Sequence, residues 1–62
     1  MYNKHFDVTT EHIDDVNVLV RVYKKGEKKI FNRFIVEDYG DWNAVEDTIE
    51  YQLKVFEKNL TI

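Results

Sequence analysis

The side chains able to do chemistry in this chain are carboxylates and little else. Residues 36–53, VEDYGDWNAVEDTIEYQL, hold Glu37, Asp38, Asp41, Glu46, Asp47 and Glu50 with Tyr39, Trp42 and Tyr51, and contain no Lys or Arg. Acid pairs such as Asp14 with Asp15, or Glu46 with Asp47, are poorly disposed for general acid-base work, because adjacent residues point in divergent directions on a helix or strand. Ser and Cys are absent, so the usual nucleophiles are missing, and the four Thr residues have no base beside them in the sequence. His5 and His12 have no Cys to join them, whereas a structural zinc site wants four Cys or His ligands. With only Gly26 and Gly40, no glycine-rich phosphate loop can be drawn. These residue types point away from an enzyme, a metal site or a cofactor, and toward a surface that binds through charge.

The elements that position those carboxylates must come from 62 residues, which is one domain. A chain of this size buries only about 60% of the surface it exposes when unfolded, so its own core is marginal. Disulfides and a metal are excluded as remedies, which leaves self-association and the expectation of a homodimer. A hydrophobic content of 44%, with 15% aromatic, is too rich for a disordered chain. No apolar run approaches the roughly 18 residues of a membrane span, and no signal-peptide core is visible, so a cytoplasmic protein without membrane contact is expected. The triplet Asn59-Leu60-Thr61 matches a glycosylation acceptor by chance in such a chain.

VNVLVRVY, from Val16 to Tyr23, puts Val16, Val18, Val20 and Val22 on one face at period two and predicts a strand. KKGEK follows with Gly26 suited to a tight turn, and KIFNRFIV resumes the strand pattern, giving a β-hairpin over 16–37. On the second strand Ile30, Phe34 and Val36 share a face, with Phe31 and Ile35 on the other. From Asp41 the period changes: Val45, Ile49, Leu53, Phe56 and Leu60 form the stripe of an amphipathic helix over 41–60. Asp41 or Asn43 can cap it, Asn43 with Glu46 making a capping box, while Glu46, Asp47 and Lys58 suit the macrodipole. Residues 1–15 read as an arm or a short third strand. The fold class is α+β, an antiparallel hairpin packed on one C-terminal helix. Ala44, Thr48, Tyr51 and Val55 form a second, weaker stripe that serves either a helix-to-helix dimer contact or simply a wide core face.

Charge separates along the chain. Arg21, Lys24, Lys25, Lys28, Lys29 and Arg33 cluster on the hairpin against Glu27 alone, while 36–53 and the arm, with Asp7, Glu11, Asp14 and Asp15, are acidic. The basic hairpin, with Tyr23, Phe31 and Phe34 nearby, would suit a small nucleic-acid-binding accessory protein. Against that stand a pI of about 5.2 and the common use of Lys at strand turns to block aggregation. The acidic segment would suit a decoy for DNA. Neighbours such as Glu46 and Glu50 have Cβ atoms roughly 5 to 6 Å apart, compatible with the rise of about 3.4 Å between phosphates of one strand. An acidic helix face is also an ordinary solvated surface.

The order of strand, glycine turn, aromatic-containing strand, acidic joint and terminal helix over residues 16–60, with the Asp-aromatic step Asp41-Trp42, resembles the small dimeric phage inhibitors of uracil-DNA glycosylase. Tyr39-Gly40 is a competing alignment for that step. Members of that family are DNA mimics. The resemblance implies that Glu37, Asp38, Asp41, Glu46, Asp47 and Glu50 stand in for phosphates. Trp42, with Tyr39, Val45 and Ile49, would line an apolar pocket for the wedge residue of a host uracil-DNA glycosylase. It also implies a dimer, for which Tyr51, Val55 and Thr48 are the candidate contacts, and no direct binding of nucleic acid. The longer N-terminal arm and the more basic hairpin depart from the family pattern.

Overall fold

The computed structural model describes residues 4–60, the side chain of Leu60 excepted. That side chain, which the sequence placed on the helix stripe, and Thr61 of the glycosylation-like triplet lie outside the described residues. Three strands, β1 (Phe6–His12), β2 (Asn17–Lys24) and β3 (Ile30–Glu37), are followed by one helix, α1 (Trp42–Leu60). The sheet has the order β1-β2-β3 with both pairings antiparallel. The expected α+β fold is therefore present, and the arm supplies a third strand. β1 alternates Phe6 and Val8 on the helix side with Asp7, Thr9 and Glu11 on the other, a pattern that one covered face and one open face require.

The core lies between sheet and helix: Phe6, Val18, Val20, Val22 and Val36 meet Val45, Ile49 and Leu53, all at most 6% exposed. Ile49 and Leu53, fully enclosed, each contribute about 2 kcal/mol by leaving water. At one end the core closes on aromatics. The Phe31 ring stacks on Phe6 at 5.4 Å and meets Phe56 edge-on at 5.8 Å, and Phe56 packs on Phe34 at 6.1 Å.

Phe31 reaches the core because the ladder shifts. Val22 pairs with Asn32 and Tyr23 with Ile30, so Phe31 is one extra residue opposite the junction, a β-bulge. The bulge reverses the side-chain alternation before it. Ile30, which period two placed with Phe34 and Val36, pairs with outward Tyr23 instead, and Phe31 crosses to the helix side.

The connections are set by local chemistry. In the β1–β2 turn, the Asp14 carboxylate accepts from the backbone N–H of Val16 at 2.8 Å and Asn17 at 2.7 Å, and from Asn17 Nδ2 at 2.8 Å. Gly26, at φ 81°, turns β2 into β3 where a side chain would be strained. Gly40, at φ 97°, does the same before the helix. Asp41 caps α1: its Oδ1 accepts from Asn43 N at 3.1 Å and Ala44 N at 3.3 Å. Asn43 lies inside the first turn, so the Asn43–Glu46 capping box gives way to Asp41. Glu46 and Asp47 lie beyond the first turn, which holds no acid, while Lys58 is in the last. No described helix is long and apolar enough to cross a membrane.

Candidate functional site

Where β1 and β3 end, β2 begins and α1 starts, the acidic residues gather. Asp14 and Asp15 come from the β1–β2 turn, Glu37 and Asp38 from the end of β3, and Asp41, Glu46 and Asp47 from the helix start. Residues 6–20 and 34–53 contain no Lys or Arg, and His12 is the basic side chain within them. The lysines of the β2–β3 turn, Lys24, Lys25, Lys28 and Lys29, lie at the opposite end of strands about 25 Å long.

Several of these carboxylates are held in place. Asp38 Oδ2 lies 3.0 Å from His12 Nε2, and its Oδ1 accepts from Gly40 N at 2.9 Å. The His12 bond, with the Gly40 bond second, holds the Asp38 carboxyl below its ordinary range. Asp14 is likewise lowered, by the backbone and then the side chain of Asn17 and by the Val16 backbone N–H. Glu37 accepts the Tyr39 hydroxyl at 2.6 Å, and that bond pushes the phenol above its ordinary value. Asp41 is committed to the helix cap. Asp47 and Glu50 are exposed and make no bond among the described residues, and Glu46 is half-buried.

Trp42, 37% exposed, is the first residue of α1 and stacks on His12 with ring centroids 5.7 Å apart at 29°. Tyr39 is 76% exposed. Val45 and Ile49, which the resemblance placed at the pocket, are 1% and 0% exposed and belong to the core. They face the sheet because their helical stripe is the one that buries Leu53, so neither lines an open apolar pocket. The candidate apolar contact reduces to Trp42 and Tyr39, with His12 beneath the tryptophan.

His12 is the site residue that sequence reasoning missed, since 26 positions separate it from Asp38. Its signal was the alternation of Phe6, Val8, Thr10 and His12, which puts the imidazole on the helix side once β1 is accepted as a strand. The His12–Asp38 pair has the form of a base and its orienting carboxylate, but the chain supplies no Ser or Cys to activate. Among the described residues no group of three or more His, Cys, Asp or Glu could hold a metal ion.

The second stripe of the helix stays open. Ala44, Thr48, Tyr51 and Val55 are all exposed, Tyr51 by 66%, so they do not widen the core. At the basic hairpin, Phe34 is partly buried against the core, while Phe31, which also packs in the aromatic cluster, stays 36% exposed. Lys25 pairs with Asp7 at 2.9 Å, Arg21 with Glu11 at 2.9 Å, and the Lys24 ammonium lies 5.4 Å from the centre of the Phe31 ring. A shallow depression of about 220 Å³ there is lined by Lys24, Glu27, Lys29, Ile30 and Phe31. Compared with protein-family models, curated proteins and solved structures, the chain matches none.

Proposed function

We propose that this protein is a non-enzymatic DNA mimic that occupies the DNA-binding groove of another enzyme, with uracil-DNA glycosylase as the target. The observation that carries the proposal is the acidic end. Carboxylates from a turn, a strand end and a helix start share one end of the molecule without a Lys or Arg among them, around the half-exposed Trp42. Asp14, Asp38 and Asp41 are fixed by backbone N–H groups, so they lose little rotamer freedom on binding. The target is named by the family resemblance, and the charge pattern supports the mechanism.

A glycosylase that flips bases presents a cationic groove and an apolar wedge. Filling the groove with fixed anions, and covering the wedge with Trp42 and Tyr39, blocks DNA without any reaction. Complementary potentials speed encounter and make it salt-dependent. The test is to titrate the protein into a uracil-DNA glycosylase reaction on a uracil-containing oligonucleotide, at low and high salt. Stoichiometric inhibition without binding to the oligonucleotide is expected. Full glycosylase activity at excess protein would remove the named target, and retention of the protein on DNA would remove the mimic mechanism.

A further inference from the structure

We infer that the depression beside the β2–β3 turn is a binding site for a nucleoside monophosphate. It lies at the end of the strands opposite the carboxylates and does not depend on the mimic reading.

The hollow follows from how the hairpin closes. Residues 25–29 join β2 to β3. The Glu27 N–H donates to the Lys24 carbonyl at 2.9 Å, and Gly26 takes the bend at φ 81°. The bulge then sends Phe31 to the helix side while Ile30 pairs with outward Tyr23. Between Lys24, Glu27, Lys29, Ile30 and Phe31 a hollow of about 220 Å³ is left open.

Its lining is mixed. Phe31 packs on Phe6 and Phe56 yet stays 36% exposed, and Ile30 is 42% exposed. The Lys24 ammonium lies 5.4 Å from the centre of the Phe31 ring, so a cation is already held against open aromatic surface. Lys25 is engaged by Asp7 at 2.9 Å. Glu27, Lys28 and Lys29 make no ion pair among the described residues. Lysines that only guard a strand turn against aggregation need no hollow with a phenyl ring in it.

Each part of the lining selects a part of the ligand. Phe31 and Ile30 offer apolar surface to a planar ring, as aromatic side chains do for bases. Lys24 and Lys29 bring two positive charges to one hollow, and lysine binds phosphate as a point charge. A phosphomonoester carries about one and a half to two negative charges near neutral pH, whereas each phosphodiester of a nucleic-acid strand carries one. Two ammonium groups therefore favour the monoester. The Glu27 carboxylate accepts hydrogen bonds only, which suits a ribose hydroxyl or an exocyclic amino group. Inorganic phosphate would leave the ring unused and meet Glu27 as a like charge, and an uncharged nucleoside would leave both lysines without a counter-charge. A nucleoside monophosphate engages every group.

The test is two-dimensional NMR of the isotope-labelled chain, titrated at constant ionic strength with adenosine monophosphate, adenosine, inorganic phosphate and an oligonucleotide with unphosphorylated ends. Adenosine monophosphate should move the amides of residues 24–31 saturably, Gly26 among them, and leave those of Asp38 and Trp42 in place. Adenosine and phosphate should each bind about tenfold more weakly. Lys29→Gln should weaken the nucleotide about fivefold, and Phe31→Leu about tenfold. Lys54→Gln, the same charge change at an exposed position of α1, should have no effect. No saturable shift at millimolar nucleotide overturns the inference. So does phosphate or the oligonucleotide moving the same amides as strongly, or Lys54→Gln weakening binding as much as Lys29→Gln. Should Phe31→Leu fail to fold, the wild-type comparison of nucleotide with nucleoside and phosphate decides.

Discussion

Asp41→Ala removes the side chain that accepts the Asn43 and Ala44 N–H groups at the start of α1. Loss of such a cap costs about 0.5 to 2 kcal/mol. The bonds are long, at 3.1 and 3.3 Å, which puts the expected cost near 1 kcal/mol. Unfolding entropy of about 2.1 cal/mol/K per residue, over 62 residues, comes to about 130 cal/mol/K, so the midpoint should fall by about 8 °C. Asp41→Asn keeps the acceptor and loses only the charge at the helix N-terminus, with a cost of about 0.5 kcal/mol and about half the shift. Thermal melts followed by circular dichroism at low salt read both values. If the mimic uses the Asp41 charge, the two variants lose inhibition alike while differing in stability. Equal melting points for the Ala and Asn variants would refute the capping role, and an Asn variant with unchanged inhibition would remove Asp41 from the phosphate-like set.

Phe31→Ala should cost about 2 kcal/mol in urea denaturation, because the bulge delivers this ring to Phe6 and Phe56; a loss under about 0.5 kcal/mol would mean the ring is not part of the core. Asp14 and Asp38 have folded pKa values below their unfolded values, so their contribution is complete above about pH 4 and is lost as pH falls through the folded values. Asp38→Asn should flatten the acid limb of a stability-versus-pH curve, and a variant that follows wild type in parallel would refute this. The Tyr39 phenol is raised, so its contribution is present below about pH 10 and is lost as pH rises through the folded value. In an absorbance titration Glu37→Gln should abolish a late-ionising tyrosine, and an unchanged curve would exclude the Glu37 bond as its cause.

The helix and hairpin were legible in the sequence because each buries one face with its own period. Val45, Ile49 and Leu53 repeat as a helix must, and Val18, Val20 and Val22 alternate as a central strand must. β1 was half legible. An edge strand with Asp7, Thr9 and Glu11 outward shows little apolar content until a partner strand is given. The bulge was not legible, since one inserted residue leaves composition unchanged and reverses the faces of Ile30 and Phe31. At the site, the acidic run could be read directly, but its attachments could not. The His12 bond to Asp38 depends on strand pairing, and periodicity alone cannot separate an apolar residue lining a pocket from one, such as Val45, sealed in the core.

The strand order also governs how the chain finds its fold. Because β1, β2 and β3 are neighbours in space in the order in which they occur in the chain, each pairing closes over a short turn, and the helix then folds back on strands already joined. Early loop closure is entropically cheap in such a meander, which favours rapid folding for a sheet protein. The chain also has no proline and no cysteine, so the two commonest sources of slow refolding, isomerisation about X-Pro bonds and disulfide exchange, are absent. Stopped-flow refolding of the monomer should therefore finish in one phase within about a second, and a slow second phase that scales with protein concentration would report the joining of two copies.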